Sequence, residues 1–201
     1  MMTSTDTDPG DHYHSECRVA FKEWAAVCQA LGMGEQIVIL RKGGIHEGRE
    51  GFRVDHGEFW LYPTRFHESA DQLTAVGAKC ADIARQQEPP AGKNRLALFA
   101  VVTDVFSVED LEILSHLEGR HVWSPTTVAT RFHYRQPGLF VLVARLYARS
   151  TPHEITETAA MAGCRSWVEL EAPFTTAGLT PVLSDSEFEV RRREIAEVVN
   201  A

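Results

Sequence analysis

Arg41, Lys42, Gly43 and Gly44 follow directly on four aliphatic residues, Ile37 to Leu40. Successive backbone N–H groups at a Gly-Gly turn can form a nest for an anion, and adjacent cations strengthen it. Arginine offers a planar fork to a phosphate or a base edge, whereas lysine acts as a point charge. A solvated strand end with a tight turn would look the same, because glycine serves any such turn. His46, His56 and His67, with Glu47 and Asp55, form a second group. Histidine titrates near neutrality and can act as base or acid in phosphodiester cleavage. Spacings of ten and eleven residues match no zinc pattern, so loop histidines are the plainer reading and no metal is expected. His67 is the best placed of the three, just beyond the strand end Tyr62-Pro-Thr64.

Arg131, Tyr134, Arg145 and Tyr147 combine cations with aromatic surfaces, the means by which unpaired bases and phosphates are commonly held. Trp123 and Phe132 read better as core. Arg145, set among apolar strand neighbours, needs a partner: Glu23 or a ligand. Cys164-Arg-Ser166-Trp167 lacks the elbow that would expose a nucleophile, so a buried thiol is expected there. A restriction-type nuclease needs an acid two residues before a strand lysine. None of Lys22, Lys42, Lys79 and Lys93 has one, which disfavours that metal-dependent chemistry.

These groups must be carried by elements that the sequence partly announces. Residues 1–14 are polar and without period, a flexible leader. Phe21, Trp24, Cys28 and Leu31 recur at helical spacing, and Gly32 and Gly34 stop that helix. Ile37 to Leu40, Phe52 to Val54 and Phe59 to Tyr62 read as short strands, the last ended by Pro63. Ser69-Ala-Asp-Gln72 has the form of a capping box opening a helix that buries Leu73, Val76, Cys80 and Ile83. Leu96 to Phe106 and Leu139 to Tyr147 are long strands, with a short helix capped by Ser107 and another opened by Ser124-Pro125 between them. Ser166 to Leu170 reads as a last strand. The chain then reads as a linker over 173–183 and a terminal helix over 184–201, so that 15–172 is one domain. Helices and strands do not alternate regularly enough for a doubly wound sheet. The expected fold is α+β, a small mixed β-barrel of five or six strands flanked by helices.

The 201 residues carry a net charge of −8, which argues mildly against non-specific binding to nucleic acid. Yet Gly119 to His153 holds no acid and carries Arg120, Arg131, Arg135, Arg145 and Arg149, enough for one positive face. No apolar run approaches the roughly 20 residues of a membrane span. The dispersed cysteines and the absence of a secretory start point to a reduced cytoplasm.

The runs Phe21-Lys-Glu-Trp-Ala-Ala-Val-Cys-Gln-Ala-Leu31, Leu40-Arg-Lys-Gly-Gly-Ile45 and Phe59-x-Leu-x-Pro-Thr-x-x-His67 resemble the bacterial domain-of-unknown-function family 1802. Arg131-Phe-x-Tyr134, Leu142-Val-Ala-Arg-Leu-Tyr147 and Gly163-Cys-x-Ser-Trp-Val168 extend the resemblance over about residues 18 to 170. That family's occasional linkage to restriction-type nuclease domains implies nucleic-acid biology. A helix, a glycine and a strand ending in Leu-Arg-Lys is also similar to the opening of ASCH domains in the PUA-like superfamily. That resemblance implies a barrel with a cleft for RNA or modified bases.

The reading is therefore a PUA-like module that binds RNA, DNA or a nucleotide. Arg41, Lys42, Gly43, Gly44, Thr64, Arg131, Tyr134 and Arg145 are the ligand-binding set. The alternatives are a metal-independent phosphodiester hydrolase using His67 as base and Lys42 to stabilise charge, and an accessory protein whose terminal helix docks on a partner. No cofactor is indicated.

Overall fold

The computed structural model describes residues 13–42, 56–65, 67–163 and 165–201. The strands are β1 (Glu16–Trp24), β2 (Val38–Arg41), β3 (Glu58–Thr64), β4 (Lys93–Val108), β5 (Leu139–Thr156), β6 (Trp167–Thr175) and β7 (Thr180–Pro181). The helices are α1 (Ala25–Gly32), α2 (Ala75–Gln86), α3 (Leu111–Ser115), α4 (Pro125–His133) and α5 (Asp185–Val199). The architecture is mixed α+β. The strand expected at 52–54 lies outside the described residues.

All strands join one sheet in the order β2-β5-β4-β3-β1-β6, with β7 also on β5. β1 and β3 run parallel, which sets their carboxyl ends side by side with Trp24 opposite Thr64. Side chains alternate between two cores, as the period of a strand requires. Phe21, Phe59 and Leu61 enter the core covered by helices, and Ala20, Trp60 and Tyr62 enter the other.

The expected barrel is corrected in one respect: among the described residues β2 does not pair with β6, and the sheet is not closed. β6 exposes Glu169, Glu171 and Pro173. Charge and proline on an edge strand discourage further pairing.

Several elements differ from the pattern in the sequence. Phe21 and Trp24 lie on β1 rather than on a helix, because pairing with β3 and β6 outweighs local propensity. The capping box at Ser69–Gln72 is present but closes a 3₁₀ turn. α2 begins later, capped by Thr74 accepting from the Gly77 N–H, so Val76 is exposed. Asp110, not Ser107, caps α3. Pro63 lies within β3, opposite Glu23 in the parallel ladder. The stretch expected as a linker, 173–183, contains the end of β6 and all of β7, and Thr176 and Leu179 are buried. At the amino end Tyr13 packs its ring against Phe99 and Tyr147, at 5.5 and 4.9 Å.

α5 is a built-in part of the domain. Ser184 caps it in a capping box with Glu187, and Phe188 and Ile195 are buried in the helix-covered core. Arg192 grips Asp104 of β4 with two bonds of 2.6 and 3.0 Å, which holds the Asp104 carboxyl below the usual range.

His121, between α3 and α4, is buried, and burial pushes its imidazole down to about 4. A group with a depressed folded pKa is favoured in its neutral form in the native state. Its stabilising contribution is therefore complete above the unfolded value near 6.5 and lost as pH falls toward about 4. Urea unfolding at pH 7 and pH 4 should show a loss of about 3 kcal/mol attributable to this residue. The loss should shrink by most of that amount in His121→Leu. An identical pH dependence in the variant would remove His121 as the cause.

Candidate functional site

Arg41 stands at the end of β2, at one edge of the sheet, yet its side chain reaches the other edge. Its guanidinium donates to the Lys22 carbonyl at 3.4 Å and to Glu23 Oε2 at 3.3 Å on β1. It also donates to the Ser166 hydroxyl, one residue before β6. The same group sits 4.5 Å from the Phe21 ring centroid. Where a barrel would have a backbone ladder, this protein has a side-chain clasp.

Glu23 is only 3% exposed. Burial pushes its carboxyl up, while Arg41 and the Trp24 N–H, donating at 2.8 Å, pull it back. Its neighbour across the α1 amino terminus is Glu68, whose Oε2 accepts from the Ala26 N–H at 2.9 Å. Burial raises the Glu68 carboxyl also. These two acids occupy the first N–H groups around the start of α1, satisfying donors that would otherwise receive an outside anion.

α4 brings in the second arginine. Ser124 caps it and Pro125 fits its first position, as the sequence predicts. Arg131 then lies with its guanidinium 5.5 Å from the Trp24 ring and 5.8 Å from the Trp123 ring. The indoles are themselves 5.5 Å apart. Arg131 is half-buried, its N–H donors meet no acceptor among the described residues, and its charge helps hold down the Glu23 carboxyl. Beyond the helix, Tyr134 is 54% exposed, with the Arg135 guanidinium 5.2 Å from its ring.

Lys42 has a different task from the one its sequence suggests. Its ammonium donates to the carbonyls of Phe132 and Gly138, both at 2.8 Å, and of Gln136. It thereby closes the carboxyl end of α4 and shapes the turn that presents Tyr134 and Arg135. Burial lowers its pKa.

Arg145 lies apart from this face. Its side chain is 8% exposed and meets Asp185 at 2.5 Å and the Ser184 carbonyl at 3.1 Å, with Phe188 5.0 Å away. Its partner is the start of α5, not Glu23, which Arg41 has taken. Arg120 likewise pairs with Glu194, and Arg149 binds the carbonyls of Thr151, Thr175 and Ala177. Of the acid-free segment, Arg131 and Arg135 remain on aromatic faces.

Thr64 is half-buried at the end of β3. His67 is exposed with a left-handed backbone, φ 62°. His56 packs its ring 5.1 Å from Trp167. Gly43, Gly44, His46, Glu47, Asp55 and Cys164 lie outside the described residues. Among the described residues no three His, Cys, Asp or Glu side chains gather as metal ligands. The residues that sequence reasoning undervalued are Glu23, Trp24 and Ser166. A lone acid in the mostly apolar stretch Val19 to Leu31 was the available signal for the first.

Removing Arg41 leaves Glu23 buried without its cation, a loss that typically costs about 3–5 kcal/mol. Arg41→Ala should therefore lower the unfolding midpoint sharply, and Arg131→Gln, which removes only a longer-range attraction to Glu23, should lower it far less. Thermal unfolding of both variants checks this, and an Arg41→Ala chain as stable as the parent would refute the clasp.

A search of curated proteins returns no match. Three solved structures share part of the backbone arrangement. An ASCH protein from Zymomonas mobilis matches with a TM-score of 0.45 and 15% identity, over 76% of this chain and 87% of that one. A tyrosine-to-phenylalanine mutant of the Zymomonas protein gives 0.44 and 14%, over 76% and 89%. A serine-to-alanine mutant gives 0.43 and 14%, over 87% and 94%. The family model described as "Domain of unknown function (DUF1802)" matches residues 20–194. This protein belongs to the DUF1802 family.

Proposed function

We propose that the protein binds a single-stranded nucleic acid or a nucleotide on the face formed by Arg131, Tyr134 and Arg135. The observation that carries this reading is Arg131. Its guanidinium is oriented by two indole rings while its donors stay unspent among the described residues. Five N–H donors in a fixed plane suit a phosphate or a base edge. The flanking exposed tyrosine offers a π-face to a base, a contact worth about 1–3 kcal/mol per base. Glu23 neutralises part of the positive charge, so the site rewards shape and stacking more than bulk charge. That fits a chain with a net charge of −8.

Binding is favoured over hydrolysis by the disposition of Lys42. Its ammonium is spent on three backbone carbonyls rather than held ready for a transition state. Arg145 likewise serves α5. The apolar stripe of α5 is already used inside the domain, so a partner would have to dock on its polar face. No helix among the described residues is long and apolar enough to cross a membrane.

Fluorescence anisotropy with a labelled single-stranded oligonucleotide tests the proposal. Arg131→Gln should weaken binding about tenfold, the scale of one charge-assisted contact. With about two phosphates neutralised, log Kd should rise with log salt at a slope near 1.4, far below that of a basic groove. Equal affinity in Arg131→Gln, or a slope of five or more, would overturn the assignment of this face.

A further inference from the structure

A cavity of about 540 Å³ lies between α1 and the end of α2 on one side and β3 and β4 on the other. Small-molecule sites typically enclose about 300–1,000 Å³. Small residues keep this one open: Ala25 and Gly32 on α1, Ala84 on α2, Ala97 on β4. A β-carbon on Gly32 would come within 3.0 Å of Leu98, so the glycine sets how closely helix and sheet approach. Leu61 and Leu98 form an apolar floor.

Both rim arginines are paired with acids, and the remaining rim charges meet neutral groups. Arg65 bonds to Glu88 and to the Ala84 carbonyl. Arg95 pairs with Glu154 at 3.1 Å, and Lys93 donates to the Thr156 hydroxyl at 2.8 Å. Asn94 is saturated, donating to the Pro63 carbonyl and Glu157 and accepting from the Arg95 N–H. Two rim groups differ: the carboxamides of Gln29 and Gln87 make no hydrogen bond among the described residues. A carboxamide presents a donor and an acceptor side by side, the pattern that reads the edge of a nucleobase.

We infer that this cavity receives a planar, uncharged heteroaromatic ring of the nucleobase class. The ring lies against Leu61 and Leu98, and its polar edge meets Gln29. With Arg65 and Arg95 already spent on Glu88 and Glu154, and the Glu157 carboxylate on the same rim meeting no cation among the described residues, the rim disfavours a ligand that is itself an anion. The choice of nucleobase among such rings rests on the binding function proposed above. Ala25 of the cavity follows Trp24, whose indole carries Arg131, and Thr64 of the cavity lies opposite Trp24 in the β1–β3 register. A base turned out of a strand held on the arginine face would enter here, and a free nucleoside would use the same contacts.

Calorimetric titration of the full chain with each of the four ribonucleosides tests the inference. At least one should bind saturably below millimolar concentration. Ala84→Trp, which fills the cavity, should abolish that binding, and Gln29→Ala on the partly exposed rim should weaken it about tenfold with an unchanged unfolding midpoint. Should Ala84→Trp fail to fold, Gln29→Ala decides. No saturable nucleoside binding, or binding unaffected by Gln29→Ala in a folded chain, overturns the proposal. Displacement of the nucleoside by an oligonucleotide identifies a strand as the source of the base, and lack of displacement identifies a free nucleoside. An oligonucleotide that binds through Arg131 while no nucleoside binds would end the cavity proposal alone. Nucleoside binding without oligonucleotide binding would instead end the function proposed for the arginine face.

Discussion

The buried pairing of Glu23 with Arg41 is the constraint on which the rest of the molecule depends. A carboxylate that is 3% exposed has lost nearly all of its water and needs a cation held in good geometry. β2 supplies that cation through the Arg41 side chain, which spans from one edge of the open sheet to β1 and the start of β6. Arg41 completes the span by holding the Lys22 carbonyl and the Ser166 hydroxyl as well. A guanidinium can do this because its donors lie in one plane at fixed angles, a role that an ammonium could not fill.

The clasp also decides where the chemistry of the surface lies. Holding Glu23 in place fixes Trp24, the next residue, and Trp24 is one of the two rings beneath Arg131. Lys42, the next residue after Arg41, turns to the carboxyl end of α4 and fixes the turn bearing Tyr134 and Arg135. Adjacent cations thus act in succession, one bridging the open side of the sheet and one shaping the loop beside it. What remains for an outside ligand is a small set of arginines poised on aromatic rings.

Internal pairing explains how an acidic chain can carry such a face. Asp185, Asp104, Glu194 and Glu23 each engage an arginine of the fold. Backbone carbonyls engage Arg149 and Lys42. The surplus of positive charge is confined to a few groups, which favours selective contacts over the broad electrostatic attraction of a basic groove.

The sequence by itself determined the long antiparallel strands β4 and β5, the Ser124-Pro125 and Ser184 helix starts, and the α+β class. Each of these rests on local chemistry: runs of β-branched and apolar residues, a hydroxyl cap, or proline at the first helical position. It also singled out Arg41, Arg131 and Tyr134 as chemically distinctive. Only the tertiary structure decided the rest. β1 reads as helix from its spacing, because the pairing that makes it a strand comes from β3 and β6, distant in the chain. Arg145 reads as a ligand contact because nothing in its neighbourhood reveals that Asp185, forty residues on, will meet it. Lys42 reads as an anion site because its carbonyl partners, at the end of α4 and just beyond it, lie ninety or more residues away. Whether a charge is spent inside the fold or left for a ligand is settled by which groups arrive beside it, and their arrival is a property of the folded chain.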